Sequence, residues 1–201
     1  MKPTLAIIYA SGFPNASFHQ FADALKDETL TVHLEEREPP GPMAGLMWTM
    51  LTASALFIAS SYFGGMLKEL GKDHYEVLKR ELAKLTKSTM DEPRIEPVLF
   101  GTAGKLDNGD PISMGFSIWA QLPNGYTLKL LIPKKTENVD YAAGTDAFLD
   151  FVLRCHEEGD NILSDAGLDT SSRQINPITL MYNAEIGRIE WANPIPKAAR
   201  S

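Results

Sequence analysis

Hydrophobic and polar positions follow two different periods along this chain, and the change from one to the other falls near residue 90. Before it, short apolar runs alternate with amphipathic stretches of helical period. Residues 5–9 read as a strand, Ser11-Gly12-Phe13-Pro14-Asn15 as a turn, and residues 17–26 as a helix with Phe18, Phe21, Ala22 and Leu25 on one face, capped by Asn15 or Ser17. Residues 29–34 form a second expected strand. Met43, Leu46, Met47, Met50 and Leu51 have helical spacing, residues 53–59 read as a buried third strand, and a helix follows over 62–87 with a break at Gly71. Strands separated by helices pair in parallel, because a parallel return needs a long connection. The expectation is a parallel sheet in the order two-one-three, with Ser11 and Ser60 both at its carboxyl edge, where such sheets collect ligands.

After residue 90 the period shortens to two. Residues 95–100 read as a strand and 106–111 as a loop. Ile112, Met114, Phe116, Ile118 and Ala120 alternate with more polar neighbours, as do Tyr126, Leu128, Leu130 and Ile132. A two-residue Asn-Gly turn between them would set Ala120 opposite Lys129 and mismatch the apolar faces. A three-residue loop, with Pro123-Asn124 in a type I turn and Gly125 left-handed, sets Ala120 against Leu128, Ile118 against Leu130 and Phe116 against Ile132. A helix starting at Asn138 or Asp140 runs to about 158, residues 160–176 are loop or short helix, and 178–182 with 186–191 close the chain as a pair of strands. Residues 193–201 read as a mobile tail. The fold class is therefore α/β: a three-layer, partly parallel sheet extended by antiparallel hairpins. It forms one domain over 1–201, with a βαβ half at 1–90 and a hairpin-plus-helix half at 91–192.

With 201 residues, 44% hydrophobic, the chain can bury a sizeable core. A net charge of −7 without a clustered basic face argues against nucleic acid as a partner. The single Cys155 excludes an intramolecular disulfide and a thiolate metal cluster, and on the stripe of Phe148 and Val152 it reads as a buried thiol. His19, His33, His74 and His156 lack ligand spacing, so no metal site is expected. Residues 39–67 carry no charge, yet their prolines, glycines, hydroxyls and change of period fit a helix and a core strand instead of a membrane span. The expected location is cytoplasmic.

The turn after the third expected strand concentrates the candidate chemistry. Ser60, Ser61 and Tyr62 bring hydroxyls to a strand end, Gly64-Gly65 lets backbone approach a ligand, and Glu69 lies two helical turns on; the alternative is that Tyr62 and Phe63 are core, the glycines permit tight helix–sheet packing and Glu69 pairs with Lys68 or Lys72. Ser11 and Gly12 would face them across the crevice. Glu35-Glu36-Arg37-Glu38, after the second expected strand, can read a ribose or a basic partner. Asp73 and His74 are neighbours on one helix and point about 100° apart, which prevents a dyad.

The run Leu56-Phe57-Ile58-Ala59, Ser60-Ser61-Tyr62-Phe63 and Lys68-Glu69-Leu70 resembles the third strand and following helix of Toll/interleukin-1 receptor (TIR) domains. Ile7-Ile8-Tyr9-Ala10-Ser11 and Phe21-Ala22-Asp23-Ala24-Leu25 are similar to that family's first strand and helix. The resemblance covers about residues 4–87. It implies a nucleotide-binding or NAD-cleaving effector or signalling domain, with NAD as substrate, no permanent cofactor, Glu69 as the catalytic carboxylate, and Ser11, Gly12, Ser60, Ser61 and Tyr62 lining the pocket. Flavodoxin-like nucleotide binders share the strand order without the glutamate. The alternative is a non-catalytic protein-interaction module with an acidic surface. A Glu69 turned into an open crevice favours the first reading, and an exposed Glu69 favours the second.

Overall fold

The computed structural model describes residues 4–38, 52–92, 111–169 and 176–192. Seven strands form one mixed sheet, β1 (Leu5–Ala10), β2 (Val32–Arg37), β3 (Ser54–Ile58), β4 (Ile112–Gln121), β5 (Thr127–Pro133), β6 (Ile178–Asn183) and β7 (Arg188–Trp191), in the order 2-1-3-4-5-6-7. The helices are α1 (Ala16–Leu25), α2 (Leu67–Leu70), α3 (Lys72–Asp91) and α4 (Tyr141–Glu158). A π-helical turn at Tyr62–Met66 leads into α2, and a 3-10 segment at Asp160–Ala166 follows α4. The fold is thus α/β with a partly parallel sheet extended by antiparallel strands. The expected helix near 42–50, the strand at 95–100, most of the loop at 106–111 and the tail at 193–201 lie outside the described residues. Among the described residues, no helix is long and apolar enough to cross a membrane.

The order two-one-three holds, but the expected all-parallel direction does not. Strand β1 pairs in parallel with β2, Leu5 against Val32, and antiparallel with β3, Leu5 against Ile58 and Tyr9 against Ser54. A strand buried on both faces reads equally well in either direction, so residues 53–59 carry no signal for its polarity. Parallel pairing recurs between β3 and β4 and between β5 and β6, while β4–β5 and β6–β7 are antiparallel. The carboxyl ends of β1, β2, β5 and β6 consequently share one end of the sheet, and those of β3, β4 and β7 the other.

One face of the sheet packs the described helices. Leu5, Ile7, Leu56, Ile58, Phe116, Ile118, Leu130 and Leu180 meet Phe18 and Phe21 of α1, Leu78, Leu82 and Leu85 of α3, and Phe148, Leu149 and Val152 of α4 in a single core. The helices run side by side over it, with α3 between α1 and α4. The opposite face is buried too: Ser117, Trp119, Lys129, Leu131 and Thr179 are all inaccessible or nearly so.

Local chemistry explains the element boundaries. Gly71, at φ 83°, breaks α2 from α3 where the sequence placed the break, since a left-handed residue cannot continue a helix. Asp140 accepts the Ala143 N–H at 3.0 Å and starts α4. Asn15 precedes α1 without a side-chain cap; its amide reaches back to the Tyr9 hydroxyl at 3.4 Å, and its carbonyl takes the first helical N–H groups. Strand β2 begins three residues later than expected, which places Glu35, Glu36 and Arg37 inside the strand instead of after it.

The β4–β5 hairpin adopts the three-residue register next to the turn, with Ile118 opposite Leu130 and Ala120 opposite Leu128, whereas the expected Phe116–Ile132 pair falls where an irregularity shifts the register between Ile112 and Ser117. The Gly125 N–H closes the turn on the Leu122 carbonyl, and Gly125 sits at φ 88°. Gly125→Ala therefore forces an L residue into the left-handed region and should cost about 1 kcal/mol. Ile118→Ala, which empties a wholly buried site, should cost about 3 kcal/mol. Urea titration should show lower midpoints in that order with unchanged slopes; a Gly125→Ala protein as stable as the parent would contradict the turn.

Candidate functional site

Antiparallel pairing of β1 and β3 separates the residues expected to line one crevice. Ser11 and Gly12 follow the carboxyl end of β1, beside the end of β2, where the Ser11 N–H donates to the Arg37 carbonyl at 2.7 Å. Ser60, Ser61 and Tyr62 follow the carboxyl end of β3 at the other end of the sheet, next to the start of β1, where the Ala59 N–H donates to the Thr4 carbonyl at 2.9 Å. The length of a six-residue strand, about 20 Å, lies between the two groups.

The second group is divided between the interior and the surface. Tyr62 is fully buried against Phe63, ring centres 5.1 Å apart in an edge-to-face contact, and among the described residues its hydroxyl has no hydrogen-bond partner. Burial pushes its phenol well above the ordinary range. Ser61 and Glu69 are exposed, and Ser60 is half-buried. His74 packs its ring 6.2 Å from Tyr62, and burial holds its imidazole below the usual value. His156 lies 5.1 Å from the Phe63 ring and contacts the Gln121 carbonyl through Nε2 at 3.2 Å. Cys155 is a free, buried thiol pushed up to about 12 by desolvation, which leaves it without thiolate reactivity near neutral pH. Among the described residues, Tyr62, Phe63, His74 and His156 pack together around the π-turn.

The second sheet face holds the polar cluster that the sequence did not single out. Lys129 is wholly inaccessible, directly opposite Trp119 across the β4–β5 ladder, with its ammonium 5.1 Å from the indole ring. The Trp119 Nε1–H donates to Ser117 Oγ at 2.7 Å, the two hydroxyls of Ser117 and Thr52 bond at 2.6 Å, and Thr52 Oγ1 donates to the Ser54 carbonyl. Phe57 of β3 stacks on Trp119 at 5.3 Å. Burial pushes the Lys129 amine down to about 7. In the sequence Lys129 occupies a polar position in the alternation of β5, which reads as solvent-facing whenever one sheet face is wet. Only the burial of both faces turns it into an interior amine.

Among the described residues, recesses open along α4. A cavity of about 230 Å³ opens where the carboxyl ends of β5 and β6 meet the first turns of α4, walled by Ile132, Pro133, Val139, Tyr141 and Tyr182 with Thr145 on its polar side. Tyr182 also borders a shallower groove of about 740 Å³ that contains Asp150, Arg154, Asp165 and Arg188. Strand ends and a helix N-terminus converge there as they do in the ligand sites of α/β proteins. Neither Glu69 nor Ser11 belongs to these recesses.

The buried amine has a measurable consequence. In the unfolded chain Lys129 keeps its proton up to about its ordinary 10.5, whereas in the fold it loses it near 7. Between those values the unfolded state holds the extra proton, so stability rises with pH by about 1.4 kcal/mol per pH unit. Lys129→Met should remove that rise, and parallel stability curves for the two proteins between pH 7 and pH 10 would refute the interior amine.

No protein-family model, curated protein or solved structure matches this chain.

Proposed function

We propose that this protein is a non-catalytic interaction module that receives a basic, extended segment of a partner along the outer edge of β2. The observation that carries the reading is the chemistry of that edge. Strand β2 is the last in the sheet order, and among the described residues no strand pairs with its outer side. An unpaired edge offers a row of backbone donors and acceptors to an incoming strand, and side chains set which strand is accepted. Here Glu36 and Glu38 are exposed, Glu35 is half-buried and engaged by Arg37 at 2.7 Å, and Asp27 and Glu28 lie exposed shortly before the strand. The hydrogen bond from Arg37 holds the Glu35 carboxyl below its ordinary value. A basic strand meets complementary charge there, and an acidic one is repelled.

The exposure of Glu69 and the distance from Ser11 to Ser60 favour this reading over cleavage of NAD. A carboxylate that supports a developing ribosyl cation must sit against the sugar in a water-excluded site. Glu69 is on the surface of α2.

Two measurements test the proposal. Incubation with NAD should release no nicotinamide above the protein-free rate, and Glu69→Gln should leave that result unchanged. A peptide of alternating lysine and valine should bind with salt-sensitive affinity and shift the amide resonances of β2, and the double change Glu36→Lys, Glu38→Lys should weaken it by about tenfold or more. Nicotinamide release that depends on Glu69, or a peptide response remote from β2, would overturn it.

A further inference from the structure

We infer that the cavity between β5, β6 and the start of α4 is a binding site for a small aromatic amine. Its volume of about 230 Å³ exceeds the roughly 150 Å³ of an apolar protein cavity that accommodates benzene. The excess leaves space for a tail of two or three atoms. The walls suit a ring: Ile132, Pro133 and Val139 are apolar, and Tyr141 and Tyr182 add aromatic surface. The Tyr182 side chain lies against α4 at Gly144, where a β-carbon would meet it at an ordinary contact distance of 3.5 Å.

The charge of the ligand follows from the helix start. An uncapped helix N-terminus attracts anions. At α4 that attraction is already satisfied by a carboxylate of the protein, because Asp140 Oδ1 accepts the Ala143 N–H at 3.0 Å while the residue lines the cavity. A ligand anion would meet a fixed negative charge, whereas an ammonium can bond the outer oxygen of Asp140 and lie near tyrosine rings, which favour cations. The Asn138 side chain beside it supplies a further polar group at the rim. The site is independent of the β2 edge, which lies at the far side of the sheet order.

The experiment compares three probes of one shape: 2-phenylethylamine, 2-phenylethanol and phenylacetate, each titrated into the full chain while amide resonances are recorded. The amine should bind most tightly, the alcohol more weakly and the acid least, with shifts centred on residues 139–145 and Tyr182. Asp140→Asn keeps a good helix cap and removes the charge. It should weaken the amine by about tenfold and bring it level with the alcohol. Phenylacetate binding as tightly as the amine, an unchanged affinity in Asp140→Asn, shifts centred elsewhere, or no response to the amine at millimolar concentration would each overturn the inference.

Discussion

Strands β3, β4 and β5 bury both of their faces, so every polar group they carry must find its partner inside the protein. The Trp119–Ser117–Thr52 relay ending on the Ser54 carbonyl is one answer to that demand. The contact of the Lys129 ammonium with the Trp119 ring, and the lowering of its amine to about 7, are another. Large apolar side chains on the helix face, each contributing about 2 kcal/mol on burial, offset the cost of placing such groups in the interior.

Strand direction distributes everything else. The chain reverses sense between β1 and β3, again between β4 and β5, and again between β6 and β7. The parallel pairs β1/β2 and β5/β6 therefore point the same way. Their carboxyl ends form one end of the sheet, where the Ser11 loop and the cavity at Asp140 lie. The π-turn, Tyr62 and Glu69 lie at the other. A single reversal thus removes the nucleotide crevice that a parallel β3 would have created, without disturbing the strand order.

The surface divides into an acidic sheet edge and a recessed flank along α4. On α4 most charges already have partners: Asp150 accepts from Tyr75 at 3.0 Å and pairs with Lys79 at 2.6 Å, and Arg154 bridges Glu158 and Asp165. Such exposed pairs add little stability, but they hold the helix flank in a defined charge pattern around the Tyr182 recess. The edge at β2 has a different character, with glutamates in surplus over Arg37.

The alternation of β4 and β5 determined their register, because one slip would have set Ala120 against Lys129. Gly71, Asp140 and Gly125 likewise marked boundaries through backbone conformations or hydrogen bonds that act within a few residues. The order of β2, β1 and β3 was legible from the alternation of strand and helix, and the buried Cys155 from its place on the apolar stripe of α4. The direction of β3 was not, since a strand apolar on both faces carries no vector. The alternation of β4 and β5 likewise did not single out Lys129 or Trp119, and the unread direction of β3 left Ser11 and Ser60 to read as neighbours. What the sequence alone determined was set by short-range geometry; the interior placement of Lys129, the polarity of β3 and the cavity at α4 arose only from how distant segments were brought together, where no local pattern registers the cost of desolvation or the sense of a pairing.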